Sequence, residues 1–157
     1  MSGILDNLRR LFQARSEKEQ NRPFLEAAMA ACAMVSASEG EVSFADRIRV
    51  DQIMDTLTRL KVFDPHEGVD LFNQYTAGIL ASPQEGRETA LKTIKAVASV
   101  METAELLIDL CLAVSLSDGL TSLVEHIEIV SLCGLIGVDP VKIGLDTEQI
   151  LARYIAG

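Results

Sequence analysis

Residues 32–46 read CAMVSASEGEVSFAD, and a related passage, CLAVSLSDGLTSLVE, returns 79 positions later at residues 111–125. In each copy an apolar helical run ends at an acidic residue followed by glycine; a serine follows three positions later, and a second acid three positions after that. Glycine ends a helix readily because it adopts left-handed backbone angles without strain, and Ser-x-x-acid is typical of a helix start. The passage therefore predicts two helical hairpins that are copies of one another.

Helical periodicity extends on both sides of the two copies, without hairpin turns or a sustained two-residue alternation. Asp64-Pro65 and Ser82-Pro83 each pair an N-cap residue with proline at the first helical position. We expect an all-α chain: a single compact domain of about seven to eight helices, built from two pseudo-symmetric helical-hairpin repeats, with no β-sheet. The predicted helices span residues 3–15, 23–38, 43 to about 61, 65 to about 81, 83 to about 99, 103–117, 122–136 and 147–154, with a short piece after Asp139.

The first 22 residues differ in character from the rest of the chain. Apolar side chains recur with helical spacing over residues 3–15, whereas residues 16–22 are continuously polar and are followed by Pro23. This predicts an amphipathic arm and polar tether over residues 1–22, ahead of a helical domain over residues 23–157. The arm either docks on a partner protein or a membrane surface, or folds back onto the body. Its apolar face consists of Ile4, Leu5, Leu8, Leu11 and Phe12.

Charge is unevenly distributed along the chain, whose formal net charge is −9 at pH 7. Residues 1–22 hold five basic and three acidic side chains, and residues 23–157 hold nine and twenty, which leaves the body near −11. Such a body repels phosphate backbones, so we expect no nucleic-acid partner. Cations and basic protein surfaces are the expected partners, and a homo-oligomer is a further candidate.

Cysteine usage and hydropathy bear on the cellular compartment. Cys32, Cys111 and Cys133 lie in apolar helical sequence without a CxxC pair or a secretory signal, which indicates a reducing cytoplasm. The longest apolar stretches, 104–117 and 127–138, are interrupted by acidic or polar residues, so neither predicts a membrane span. We expect a cytoplasmic protein, placed at the inner face of the membrane if the arm docks there.

The acids of the two turns have two interpretations. In the first, Ser43 and Ser122 are N-caps, the acid three residues later closes a capping box, and the turns have no further role. In the second, the acids hold a hard cation, because carboxylate oxygens suit Ca²⁺, Mg²⁺ or Mn²⁺ better than Zn²⁺. They share one site only if the two turns lie at the same end of the fold. The candidate metal ligands are Glu39, Asp46, Asp118 and Glu125.

The sequence contains no recognisable catalytic motif. Its two histidines, His66 and His126, have no cysteine or histidine at ligand spacing. It also lacks a phosphate loop, a dinucleotide fingerprint and a nucleophile elbow. We therefore expect a non-enzymatic protein whose one cofactor candidate is a divalent cation.

The doubled pattern, an alanine-rich helix ending in acid-Gly and then Ser-x-x-acid opening the next helix, resembles the TerB-like domain. That domain is named for tellurite-resistance proteins and also occurs beside J-domains of membrane-associated co-chaperones. The resemblance covers roughly residues 23–140 and extends to the arm, since such proteins often open with a short amphipathic helix. It implies an all-helical domain without established catalysis, with metal-linked and membrane-stress roles alongside an integral membrane partner.

The family's acidic positions correspond to Glu39, Asp46, Asp118 and Glu125 in this chain. In the first copy Glu39 precedes Asp46, whereas the usual order is Asp and then Glu. The resemblance implies a module of tellurite and stress resistance that binds a divalent cation at the acidic turns and associates with a membrane-linked partner. The alternative is a metal-independent acidic interaction scaffold whose turns are only helix caps.

Overall fold

Six α-helices form the part of the chain that the computed structural model describes, residues 2–145 together with Ala152 and Ile155. No strand occurs among these residues, which confirms the all-α prediction. The helix predicted over residues 147–154 lies almost wholly outside them. A single 3₁₀ turn, Ala37–Glu39, follows the first helix. The helices are α1 Ser2–Ser36, α2 Phe44–Thr56, α3 Pro65–Ala81, α4 Pro83–Lys95, α5 Met101–Ser115 and α6 Leu123–Ile136.

The structure corrects the prediction that residues 16–22 form a tether between two separate helices. The structure shows one continuous helix of 35 residues with Pro23 inside it. Proline removes one backbone hydrogen bond of a helix, and here the carbonyl that loses its partner belongs to the exposed Glu19, where water can replace it. Side chains also hold the segment against the body, since Lys18 and Arg22 both form ion pairs with Glu67.

This fusion explains why the described residues contain fewer helices than the seven to eight predicted. Two predicted helices, 3–15 and 23–38, are one, and the last predicted helix is not described. Two other helices also end earlier than predicted. Helix α2 ends at Thr56 and is followed by turns over residues 58–62. Helix α4 ends at Lys95 and is followed by turns over residues 96–99.

The second half of α1 is the centre of the core. Residues 24–35 are buried on every side except at Glu26, and they pack against α3, α4 and α5. Five of these residues are alanines, whose small side chains let neighbouring helices approach closely. Helix α2 packs on α3 and α5, and α6 packs on α5, on α1 and on the 3₁₀ turn that follows α1. Burial of this apolar surface is the main stabilising contribution.

Two helix starts follow the Asx-Pro and Ser-Pro signals of the sequence. Asp64 accepts a hydrogen bond from the His66 N–H at 2.9 Å, and the Glu67 carboxylate accepts one from the Asp64 N–H, also at 2.9 Å, so a capping box opens α3. Pro83 occupies the first turn of α4 directly after Ser82. Both helices start where the sequence predicts, although the Ser82 side chain makes no capping hydrogen bond.

The three cysteines are free and buried, and all belong to the described residues. Burial raises the pKa of the Cys32 thiol to about 12, with a further contribution from the negative charge of Asp46. Burial also raises the pKa of Cys111 well above its ordinary value and that of Cys133 to about 11. Because the thiolate is the reactive form, these groups are inert in the folded protein.

We therefore expect none of the three thiols to react with a disulfide reagent at pH 8 while the protein is folded. In denaturant all three should react at the rate of a free cysteine. The measurement is the reagent's absorbance against time, with and without denaturant. One thiol that reacts quickly in the native protein would contradict the burial described above.

Candidate functional site

The two acidic turns meet at one side chain, Asp46. Its carboxylate is 5% exposed and accepts hydrogen bonds from two serine hydroxyls, Ser36 Oγ at the end of α1 and Ser117 Oγ in the turn after α5. Ser36 belongs to the first copy of the repeated passage and Ser117 to the second. The structure therefore joins the two copies through a buried carboxylate, at the same end of the fold.

The backbone of the two turns follows the repeated sequence. Gly40 and Gly119 have φ of 92° and 97°, the left-handed region that glycine enters without strain. Ser43 accepts a hydrogen bond from the Asp46 N–H at 3.1 Å, and Ser122 accepts one from the Glu125 N–H at the same distance. The predicted N-caps are thus confirmed in both copies.

The second acids of the two copies behave differently, which the sequence did not predict. Glu125 closes a capping box, because its Oε1 accepts a hydrogen bond from the Ser122 N–H at 3.1 Å. Asp46 is one methylene shorter and instead directs both carboxylate oxygens to Ser36 and Ser117. Capping therefore accounts for the side chain of Glu125 but not for that of Asp46.

The serines that match Ser36 and Ser117 in the other copy have local partners. Ser115, the counterpart of Ser36, bonds to Thr121 Oγ1 at 2.7 Å and to the Leu112 carbonyl at 2.8 Å. Ser38, the counterpart of Ser117, donates to the Val35 carbonyl at 2.6 Å. The hydrogen bond between the copies therefore joins Ser117 of the second copy to Asp46 of the first, whereas Ser38 and Ser115 bond within their own copies.

The sequence interpretation missed Ser36. Its signal was present, since a serine recurs at the same offset, position 115, in the second copy. Both serines lie in the last turn of an apolar helix and are buried. A buried hydroxyl must find a hydrogen-bond partner, so a repeated serine at an otherwise apolar helix end indicates a polar contact across the repeat.

The electrostatics of the turns connect three of the four predicted ligands. Glu125 is partly buried, and its pKa is raised mainly by loss of hydration and also by the negative charges of Glu39 and Asp46. Hydrogen bonds from Ser122 act in the opposite direction. Asp118, the fourth ligand, is exposed and directly follows Ser117, which binds Asp46. All four acids therefore lie around one junction, which we call the paired turns.

Two arginines near the paired turns are engaged elsewhere. Arg47, next to Asp46, donates to Asn73 Oδ1 on α3 at 3.3 Å. Arg87 on α4 pairs with Glu128 on α6 at 2.8 Å. In these contacts neither arginine pairs with one of the four acids of the turns. Within residues 2–145, no group of three or more His, Cys, Asp or Glu side chains is arranged to hold a metal ion.

The apolar face of the N-terminal arm is exposed to solvent. Its five side chains are between 58% and 74% exposed, so in this structure the arm does not fold back onto the body. Over the described part of the chain, no helix is both long enough and apolar enough to cross a bilayer. These five residues are Ile4, Leu5, Leu8, Leu11 and Phe12.

The body is all-helical over the described residues, and its two acid-Gly turns are joined at the buried Asp46. The chain belongs to the TerB family: the family model described as "Tellurite resistance protein TerB" matches residues 25–145. That range contains both turns and all four acids, and it begins just after Pro23. Comparisons with curated proteins and with solved structures give no match.

Proposed function

We propose that this protein is a non-enzymatic module of a tellurite-resistance system that binds a divalent cation at the paired turns. The observation that supports it is that the two acidic turns meet, since Ser117 of the second turn donates a hydrogen bond to Asp46 of the first. The pKa of the nearby Glu125 is raised mainly by burial and also by the charges of Glu39 and Asp46. Carboxylates that repel one another in this way are stabilised by a shared cation. Oxygen donors favour Ca²⁺, Mg²⁺ or Mn²⁺ over Zn²⁺.

Within this proposal the acids have separate roles. Glu39 and Asp118 are exposed and are not needed as caps, so they are the side chains free to turn toward a cation. Glu125 supplies the carboxylate oxygen that the capping bond leaves over. Asp46, held by two serines, fixes the distance between the turns and adds negative charge.

A metal-independent acidic scaffold is the competing function, and one observation favours it. The capping box at Ser122 and the serine bonds of Asp46 are complete without a cation. In that case the acidic body would meet a basic surface directly. Cytoplasmic loops of integral membrane proteins are enriched in lysine and arginine, so they are a suitable partner under either function.

Thermal melting and calorimetry with Ca²⁺, Mg²⁺, Mn²⁺ and Zn²⁺ separate the two functions. A cation at 100 times its dissociation constant should stabilise the wild type by about 2.7 kcal/mol. Glu39→Gln combined with Asp118→Asn should abolish that gain. The matched control is Asp55→Asn with Glu102→Gln, which removes two negative charges from exposed positions on α2 and α5, away from the turns. This control should keep the stabilisation by the cation.

If no cation raises the melting temperature beyond a control of equal ionic strength, the cation-binding function is wrong. If a cation stabilises the wild type and both double variants equally, it binds outside the paired turns. In the scaffold case, binding to a basic partner should weaken with added salt, since screening shortens the range of charge attraction.

The pH dependence of Glu125→Gln gives an independent test. A carboxyl whose pKa is raised by folding binds protons more tightly in the folded state, so its contribution to stability falls as pH rises through that raised pKa. Glutamine keeps the capping bond to Ser122 and removes the charge. Without a cation we expect the variant to melt about 1–2 °C higher than the wild type at neutral pH.

The difference between the two proteins should vanish at low pH, where Glu125 is protonated in the wild type. With a saturating cation the order should reverse, since the variant has lost a ligand. Melting curves from pH 4 to 8, with chelator or with cation, measure both effects. A variant that matches the wild type at low pH but is less stable at neutral pH without cation would show that the charge of Glu125 stabilises the fold.

A further inference from the structure

Residues 3–15 of α1 form a helix that projects from the body with one apolar face. Every residue of this stretch is exposed, and within the described residues the first ion pair from α1 to the body joins Lys18 and Glu67. An isolated helix of this length is marginally stable in water, and a contiguous apolar stripe on it marks an interaction site. We call this stripe the arm face, and it consists of Ile4, Leu5, Leu8, Leu11 and Phe12.

The spacing of the arm face is symmetric about Leu8. Ile4 and Leu5 lie four and three residues before Leu8, and Leu11 and Phe12 lie three and four residues after it. At 100° per residue, the five positions fall within a sector of about 120° that is centred on Leu8. The pattern is therefore the same in either chain direction, as a pairing of two antiparallel copies about a twofold axis requires.

The arm face lies on the side of α1 that α3 and α4 cover in the body. Ile4 is 18 residues, or five helical turns, ahead of Arg22, which pairs with Glu67 in the first turn of α3. Leu5 is 18 residues ahead of Pro23, which lines a cavity together with the C-terminal end of α4. Residues 18 apart share one side of a helix, so α3 and α4 cover in the body the side that the arm leaves exposed.

Helix α4 shows how a second helix packs on this side of α1. Pro83, at its start, lines a cavity with Met34 near the end of α1. Lys92, in its last turn, lines another cavity with Pro23. Helix α4 therefore runs antiparallel to α1. A helix that packs antiparallel to the arm would continue the line of α4 beyond its C-terminal end.

This geometry decides between the possible occupants of the arm face. A flat bilayer laid against the face would meet the ends of α3 and α4, whose axes stand about 8–10 Å from that of α1, before it covered the arm. Two arms paired in parallel would place the α3–α4 hairpin of each copy inside the body of the other. Two antiparallel arms avoid this overlap, because the two bodies then lie at opposite ends of the pair.

We propose that the arms of two copies of this chain pair antiparallel in a twofold dimer. Ile4 and Leu11 form one edge of the arm face, and Leu5 and Phe12 form the other. A twofold axis perpendicular to the pair brings like edges together. Ile4 then meets Leu11 of the second copy, Leu5 meets Phe12 of the second copy, and the two copies of Leu8 meet on the axis.

The interface is small and carries like charges. Ten apolar side chains bury on the order of 800–1,000 Å² in total, at the lower limit of specific interfaces, so we expect a dissociation constant of about 10–100 µM. The arm holds Arg9, Arg10 and Arg15 against one acid, Asp6. Two arms therefore repel one another, and added salt should strengthen the dimer by screening this repulsion.

Sedimentation equilibrium of the full chain with chelator, at concentrations up to about 500 µM, tests the proposal. The wild type should show a monomer–dimer equilibrium that is tighter in about 0.5 M salt than in about 0.15 M salt. Leu8→Glu places two like charges on the twofold axis and should weaken the dimer at least about 10-fold. Leu8 is exposed, so circular dichroism melting of the body should be unchanged.

Ile4→Lys and Leu11→Glu test the antiparallel orientation. Each variant alone alters two contacts of its own dimer and should weaken association at least about 10-fold. An equimolar mixture should recover a heterodimer, because the new lysine meets the new glutamate in one contact while the other Ile4–Leu11 contact stays intact. In a parallel pair each substitution would disrupt a separate contact, and mixing would recover nothing.

Gln13 provides the matched control on the same arm. It is exposed and lies about 140° around the helix axis from Leu8, away from the arm face. Gln13→Lys and Gln13→Glu introduce the same charges as the orientation variants. Both should dimerise like the wild type, alone and mixed.

Other outcomes overturn the proposal. A wild type that stays monomeric at about 500 µM has no such dimer. A dimer that Leu8→Glu leaves unchanged forms through another surface, and a mixture without recovery excludes the antiparallel pair. Cosedimentation of a monomeric wild type with vesicles of one-third anionic lipid, lost in Leu8→Glu, would make a lipid surface the occupant of the arm face. Because all samples contain chelator, these results do not depend on the cation proposed above.

Discussion

Replacing Asp46 with alanine is expected to lower the free energy of unfolding by about 3 kcal/mol, or roughly 6–12 °C in melting temperature. The variant loses two hydrogen bonds to a charged group, each worth about 1.5–3 kcal/mol. It also leaves the hydroxyls of Ser36 and Ser117 without their acceptor, and Ser36 is buried. Relief of the buried charge offsets part of the loss.

Urea unfolding monitored by circular dichroism measures this change. The control is Asp55→Ala, an exposed acid in the last turn of the same helix, where removal of a negative charge should be neutral or slightly stabilising. A double-mutant cycle of Asp46→Ala and Ser117→Ala isolates the bond between the copies. A loss below about 1 kcal/mol for Asp46→Ala would show that the buried carboxylate does not hold the turns together.

Replacing Gly86 with alanine should destabilise the fold by a similar amount, about 3 kcal/mol. Helix α4 starts directly after α3, and a Cβ at position 86 would lie 2.5 Å from the Cα of Ile79 and 2.6 Å from its backbone nitrogen. These are backbone atoms, so a side-chain rotation cannot relieve the overlap. Helices α3 and α4 would have to separate, and both pack on the central helix α1.

Gly78→Ala provides a matched control for Gly86→Ala. Position 78 lies in the last turn of α3, and nothing lies within 4 Å of a Cβ placed there. Alanine at an unhindered helical position should stabilise the protein by about 0.5–1 kcal/mol. The two variants should therefore shift the urea midpoint in opposite directions. Equal shifts would mean that the corner between α3 and α4 adapts to the added methyl group.

Local signals in the sequence were sufficient to predict most of the helix starts. Asp64-Pro65 and Ser82-Pro83 mark α3 and α4, and Ser43 and Ser122 mark α2 and α6. Each of these signals depends on residues within one turn of the helix that it opens. The all-helical class and the TerB family followed from the same repeated passage.

Features that depend on distant contacts were not predicted. Pro23 and the polar residues before it indicate a break, but ion pairs from Lys18 and Arg22 to Glu67 hold the helix against the body. Asp46 fits a capping box in sequence, yet Ser117, 71 residues away, takes one of its oxygens. Neither contact can be recognised from neighbouring residues alone. For the same reason the sequence left open whether the two turns share one end of the fold.

The single methylene that separates aspartate from glutamate determines which partner each acid reaches. Glu125 caps its own helix, whereas Asp46 accepts hydrogen bonds from Ser36 and Ser117. The start of α2 is therefore tied to the end of α1 and to the turn after α5, so a change in that turn acts on a helix 71 residues away in the sequence.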